Sequence, residues 1–179
     1  SSREKLKNNH DTADDLYRTM PIGLNRALQV RAADRLRAVL ERDHASGLPT
    51  LGALSELDQR ELCEVGGGRL AVVAIRVEPW AVREAAQLVE EQVRRTDLCG
   101  ALAEDMLLVL APGLDAVGGR YLVERLAEML SHLQARVGVA YRSSASATGW
   151  SAQELAAEAE QYATDVGDTG LGVSTASVA

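Results

Sequence analysis

The chain has no phenylalanine, two tryptophans and four tyrosines, so its core has to be aliphatic, built of Leu, Val and Ala. Its two cysteines, Cys63 and Cys99, lie far apart and form no C-x-x-C pair. With only three scattered histidines (His10, His44 and His132), there is no zinc spacing and no Cys/His nucleophilic constellation. The cysteines read as reduced thiols. No run approaches the roughly 18 apolar residues that a membrane helix needs. The formal net charge of −7 leaves no global positive field, which argues against nucleic acid as a partner. The opening Ser1-Ser2-Arg3-Glu4-Lys5 is not a signal peptide and reads as a cut within a longer chain.

Against these absences, 46% of the 179 residues are hydrophobic, enough for one ordinary domain and an extension. Residues 1–16 are a polar lead-in. From Leu24, the residues Ala27, Leu28, Ala32, Leu36, Val39 and Leu40 recur at helical spacing, with Arg26, Arg31, Arg35, Arg37 and Arg42 on the remaining surface. Such a helix either packs on its own domain or pairs with a second copy or a partner protein. Residues 1–42 are thus a lead-in and a stalk-like helix. Residues 43–50 form a loop. Thr50 is then the expected cap of a helix whose apolar face is Leu51, Leu54, Leu57 and Leu62. Gly66-Gly67-Gly68 ends it. With no Lys-Ser/Thr following, the triplet reads as a helix-to-strand turn rather than a phosphate loop.

Arg69–Val77 is a continuous apolar run, the pattern of a central buried strand. Ala81–Arg95 reads as a helix. Two short apolar runs follow, Leu98–Leu102 and Met106–Leu110, with Ala103-Glu104-Asp105 between them: strand, turn, strand. Asp115–Leu133 is a helix, Ala135–Tyr141 a strand, and Ser151 with Glu154 a capping box for a helix through Tyr162. The tail holds at most one edge strand, at 172–178. The order predicts an α/β (α+β) two-layer domain: a ferredoxin-like, palm-type mixed sheet around a central antiparallel hairpin, with flanking helices and a preceding N-terminal helix.

Two features of the central stretch carry chemistry. Glu104 and Asp105 at the hairpin tip are either a residual metal contact or, the reading preferred here, a polar turn. Arg94 and Asp97, spaced R-x-x-D, are either a surface ion pair or a grip on a guanine-like base. A guanidinium can donate twice to the O6/N7 edge of guanine, and a carboxylate can accept from N1–H and N2–H₂.

The order of these words resembles the GGDEF (diguanylate cyclase) family over roughly residues 43–167. Asp43-His44-Ala45-Ser46-Gly47-Leu48-Pro49-Thr50 is similar to its opening D-x-L-T-G-L-P-N. Val72–Trp80 is similar to its first strand, Val137-Gly138-Val139-Ala140 to its late strand, and Ala157–Gly167 to its closing word. The resemblance also implies what is lost. The Gly-Gly-Asp-Glu-Phe signature stands here as Ala103-Glu104-Asp105-Met106-Leu107. The family's catalytic, metal-binding Glu falls on Met106, its first-strand metal Asp on Arg76, and its phosphate-contacting Lys on Asp165. Trp80 takes the place of a buried aromatic, and Tyr162 is likewise expected in the core.

Two-metal chemistry needs oxygen ligands where Arg76 and Met106 stand. The resemblance therefore implies no catalytic residue, no metal and no cofactor. What it retains is the inhibitory-site R-x-x-D, six residues before the signature. That implies cyclic di-GMP as ligand, held by Arg94 and Asp97, by Arg125 from the Val123-Glu124-Arg125-Leu126 word, and with help from Arg95. The chain is then expected to be an inactive cyclic di-GMP receptor in cytoplasmic bacterial signalling, with exopolysaccharide or developmental output. The alternative is a dimerisation or protein-interaction scaffold that binds no nucleotide.

Overall fold

A computed structural model describes residues 22–144, 151–164 and 173–177. The polar lead-in, Trp150, Asp165 and the last residues of the tail lie outside the described residues, as does the side chain of Tyr162. The elements in order are α1 (Ile22–Val39), α2 (Glu56–Val65), β1 (Arg69–Arg76), α3 (Val82–Gln92), β2 (Leu98–Ala103), β3 (Met106–Pro112), α4 (Ala116–Met129), β4 (Arg136–Ser143), α5 (Ala152–Thr164) and β5 (Val173–Ser177).

The strands form one mixed sheet in the order β2-β3-β1-β4-β5. β1 is central and antiparallel to both β3 and β4, while β5 joins β4 in parallel. This is the palm-type mixed sheet with a central hairpin. Helices cover both faces rather than one, so the domain has three layers. Ala71, Val73, Ile75, Leu107 and Val109 pack against α3 and α4, through Ala85, Val89, Val123 and Leu126. Leu70, Val72, Leu108 and Leu110 pack against α1, α2 and α5, through Leu36, Leu62, Leu155 and Ala159. The cause is visible in β1 and β3: both alternating sets of side chains are aliphatic, so each face must be buried. Truncating one of these leucines to Ala would cost about 2–5 kcal/mol.

α1 packs on its own domain through Ala32, Ala33 and Leu36, whereas Val39 stays 69% exposed. α2 starts later than expected. Its cap is Ser55, which accepts from the Asp58 N–H in a reciprocal capping box. Thr50 is drawn elsewhere. The segment 49–51 lies along the outer edge of β2, where the Leu51 N–H donates to Ala101 O (2.8 Å) and the Ala101 N–H to Pro49 O (2.8 Å). These bonds cover an edge strand. They also bring chain so close to Gly100 that a Cβ there would sit 2.5 Å from Pro49 O. Leu57, expected on the apolar face, is exposed, and so is Trp80, at 74%. Trp80 lies in a 3₁₀ turn, Pro79–Ala81, that leads into α3, and its neighbour Ala81 takes the core position.

The hairpin forms where expected, with Glu104-Asp105 as its turn and Ala103 paired with Met106. The Val77 N–H donates to Asp105 O (2.9 Å), tying the tip to the end of β1. Asp115 caps α4 by accepting from the Gly118 N–H (2.7 Å).

Candidate functional site

The positions singled out in the sequence fall at two ends of the sheet. At the hairpin tip, Arg76 is the cross-strand partner of Met106. Met106 is buried in the aliphatic layer under α1, α2 and α5. The Arg76 guanidinium forms ion pairs with Asp105 through Nη1 and with Glu160 of α5 through Nε. Both carboxylates hold the arginine charged, Glu160 most strongly, and its pKa is raised. Glu104 points to solvent.

The residues at this tip do not fit a two-metal site. A cation stands between the carboxylates and a thioether lies beside it. Among the described residues, no three His, Cys, Asp or Glu side chains group as metal ligands. Glu160 lies 84 residues beyond Arg76, too far for any local pattern to pair the two.

The other end is the turn between α3 and β2. α3 stops at Gln92, because Val93 is extended (ψ 156°), so Arg94 and Arg95 stand in a turn and not on the last helical turn. The turn closes through the Asp97 N–H donating to Arg94 O (2.9 Å). The Asp97 side chain is 1% exposed, so the R-x-x-D pair is anchored inside the protein rather than lying on its surface. Its carboxylate accepts from the Arg94 backbone N–H (2.9 Å) and from Arg94 Nη2 (2.8 Å) and Nε (3.2 Å). Arg94 Nη2 also donates to Pro112 O (3.2 Å), while the Arg94 side chain as a whole stays 42% exposed. Burial pushes the Asp97 carboxyl up, and the bonds from Arg94 offset part of that rise. Asp97 thus sits beneath Arg94 as its anchor, and the guanidinium faces outward above it.

The same turn is gripped from α1. Arg37 donates to Asp97 O (2.9 Å) and Arg95 O (3.2 Å), and also pairs with Asp34. Arg37, Arg42, Arg94 and Arg95 line one open groove of about 190 Å³, with Glu90 and Asp97 as its acids. Arg42 donates to Gly47 O (2.7 Å). Arg125 does not line this groove. From α4 it donates to Gln92 O (2.7 Å), capping the end of α3, with its guanidinium 5.8 Å from the Tyr121 ring. Its Nε has no hydrogen-bond partner among the described residues. The sequence reading therefore missed Arg37 and Arg42 as neighbours of the turn. Their only signal was the run of arginines along and just past α1, which reads equally as a solvated surface.

A palm-type sheet with a hairpin in this position defines a GGDEF-like fold. Solved structures agree. The chain is similar to the diguanylate cyclase SiaD of Pseudomonas aeruginosa, solved in complex with its activator SiaC, with a TM-score of 0.62 at 19% identity over 99% of this chain and 74% of that one. It is similar to the GGDEF domain of DgcB from Caulobacter crescentus, in complex with c-di-GMP, with a TM-score of 0.60 at 12% identity over 75% of this chain and 94% of that one. The GGDEF domain of FimX from Pseudomonas aeruginosa matches with a TM-score of 0.60 at 14% identity over 78% of this chain and all of that one. No family model matches the chain. No curated protein matches it in sequence. Among the described residues, no helix is long and apolar enough to cross a membrane.

Proposed function

We propose that this chain is a catalytically inactive GGDEF-type domain that acts as a cyclic di-GMP receptor in bacterial signalling. The observation that carries the reading is Arg94, a half-exposed guanidinium fixed from below by the buried Asp97 carboxylate, at the mouth of a groove rich in arginine. A guanidinium held in that way offers a preorganised fork to a phosphate or a guanine edge. Arg95 adds charge beside it, and Arg125 supports the turn through the end of α3. The solved complex of a GGDEF domain with c-di-GMP makes the ligand a natural one for this fold. Inactivity follows from Arg76 and Met106, which leave no place for two cations bridged by oxygen ligands. The helix α1, packed on the domain beside this turn, would pass the ligand state to a second copy or a partner protein.

One observation favours the scaffold reading. Both oxygens of Asp97 are engaged by Arg94, so the carboxylate offers no outward acceptor to a base. In the receptor reading Asp97 therefore positions Arg94, and the arginines make the contacts. Titration calorimetry with cyclic di-GMP separates the two. Binding by the wild type that disappears in Arg94→Ala is expected, and an absence of heat with the wild type overturns the receptor. Incubation with GTP and Mg²⁺ is expected to give no cyclic product, and its appearance would overturn the claim of inactivity.

A further inference from the structure

We propose that Arg37 and Arg42 are phosphate-contacting residues of the same groove, so that a phosphodiester ligand bridges the 94–97 turn to α1 and clamps that helix onto the domain. The inference rests on the receptor reading and names the part of the chain that the ligand holds.

Charge is the first argument. Four guanidiniums line the groove against two carboxylates, in a protein whose net charge is −7. Asp97 is consumed by Arg94. Arg37 spends its groove-side bonds on two carbonyl oxygens, which are neutral, and among the described residues has only the half-exposed Asp34 as counter-ion. Arg42 likewise donates to a carbonyl, that of Gly47. A guanidinium has five N–H donors, so carbonyl bonds leave both charge and donors over for a phosphate.

Size is the second argument. The groove, at about 190 Å³, is below the roughly 300–1,000 Å³ of sites that enclose a whole small molecule. A dinucleotide therefore lies across the mouth with its phosphates lowered among the arginines.

Position is the third. Arg37 is two residues from the end of α1 at Val39 and already bonds to the backbone on which Arg94 and Asp97 are carried. A phosphate shared between Arg37 and Arg94 makes that attachment stronger whenever ligand is present.

The test uses the full chain, calorimetry with cyclic di-GMP, and hydrogen exchange over residues 31–40. Arg37→Ala and Arg42→Ala are each expected to weaken binding about tenfold, as loss of one charge-assisted contact does. Ligand is expected to slow exchange in residues 31–40 of the wild type and not of Arg37→Ala. Arg37→Lys keeps the charge without the fork and falls between. If Arg37→Ala fails to fold, Arg42→Ala carries the affinity test, since its described bond is to a loop carbonyl. Wild-type affinity in both alanine variants, alongside lost binding in Arg94→Ala, overturns this inference and leaves the receptor reading standing. Protection confined to residues 94–97 overturns the clamp in the same way. No binding by the wild type overturns both.

Discussion

The two ends of the sheet use arginine in opposite ways. At the hairpin tip one guanidinium, Arg76, stands between two carboxylates, Asp105 and Glu160. Its charge is answered inside the chain, and nothing is left to attract an anion. At the α3–β2 turn the ratio is reversed, with four guanidiniums around one accessible acid, Glu90, and one buried acid, Asp97. The comparison teaches that an arginine's role is set by how many carboxylates the fold brings to it. Arg76 lies on the central strand, so the hairpin turn and α5 both reach it. The arginines of the turn come from elements that supply mostly carbonyl oxygens.

The largest expected effect breaks this comparison directly. Arg94→Ala is expected to weaken cyclic di-GMP binding by about 100-fold or more, at least roughly 2.7 kcal/mol, so that its heat is no longer detected. Arg76→Met is expected to leave it unchanged. Calorimetry on both variants reads the difference. If both arginines proved equally important, the two ends would not be divided between an internal counter-ion and a ligand contact.

The second effect is on stability. Replacing Arg76 by Met removes an ion-pair partner that is 38% exposed, which costs about 1 kcal/mol because solvent already screens such a pair. Arg76→Glu sets three carboxylates together and is expected to cost about 2 kcal/mol, part of it recovered in high salt. Denaturant melts of the two variants with and without 1 M salt check the order, where equal stability at low salt would show that the tip is not held by its charges.

How far these ends were legible in the sequence differs as well. The hairpin, β1, α4 and the Ser151 cap are local patterns of alternation, helical period and capping, and they stand where those patterns put them. The errors arise where a distant partner decides. Thr50 looked like a cap, but the backbone bonds of Pro49 and Leu51 draw its segment onto the edge of β2, and Ser55 takes the cap because Asp58 completes its box. Trp80 looked like core, yet the 3₁₀ turn buries its neighbour Ala81 instead. Arg94 and Asp97 stand out by their R-x-x-D spacing. Arg37 could not be, because 60 residues separate it from Asp97 and helical periodicity says only that it leaves the apolar face.

A buried polar group outside both ends sharpens the contrast between satisfied and unsatisfied chemistry. Gln59 of α2 is fully buried, and neither its amide oxygen nor its amide nitrogen has a partner among the described residues. Asp97 is equally buried, but every bond it needs is made. Gln59→Leu removes an amide whose desolvation is uncompensated and is expected to raise stability by about 1 kcal/mol, a shift of a few degrees in Tm. A fall in Tm would mean that the amide is held by something other than the neighbours described.

The smallest expected effect compares two carboxylates near the site across pH. Asp97 has its pKa raised by burial, so the folded protein holds its proton more tightly than the unfolded chain, whose value is near 3.8. Ionising it costs stability, and that cost appears as pH rises from 3.8 through the folded value and is constant above it. Asp43 is the opposite case. The Ser46 hydroxyl and backbone N–H, at 2.7 and 2.8 Å, hold its carboxyl below 3.8. Its contribution is fully present above 3.8 and is lost as pH falls through the folded value. Stability measured from pH 3 to 7 and compared with each Asn variant should therefore slope in opposite senses: the wild-type advantage over Asp43→Asn grows with rising pH, and that over Asp97→Asn shrinks. Parallel slopes would mean that Arg94 outweighs burial at Asp97, which would make the turn the better-neutralised end of the molecule.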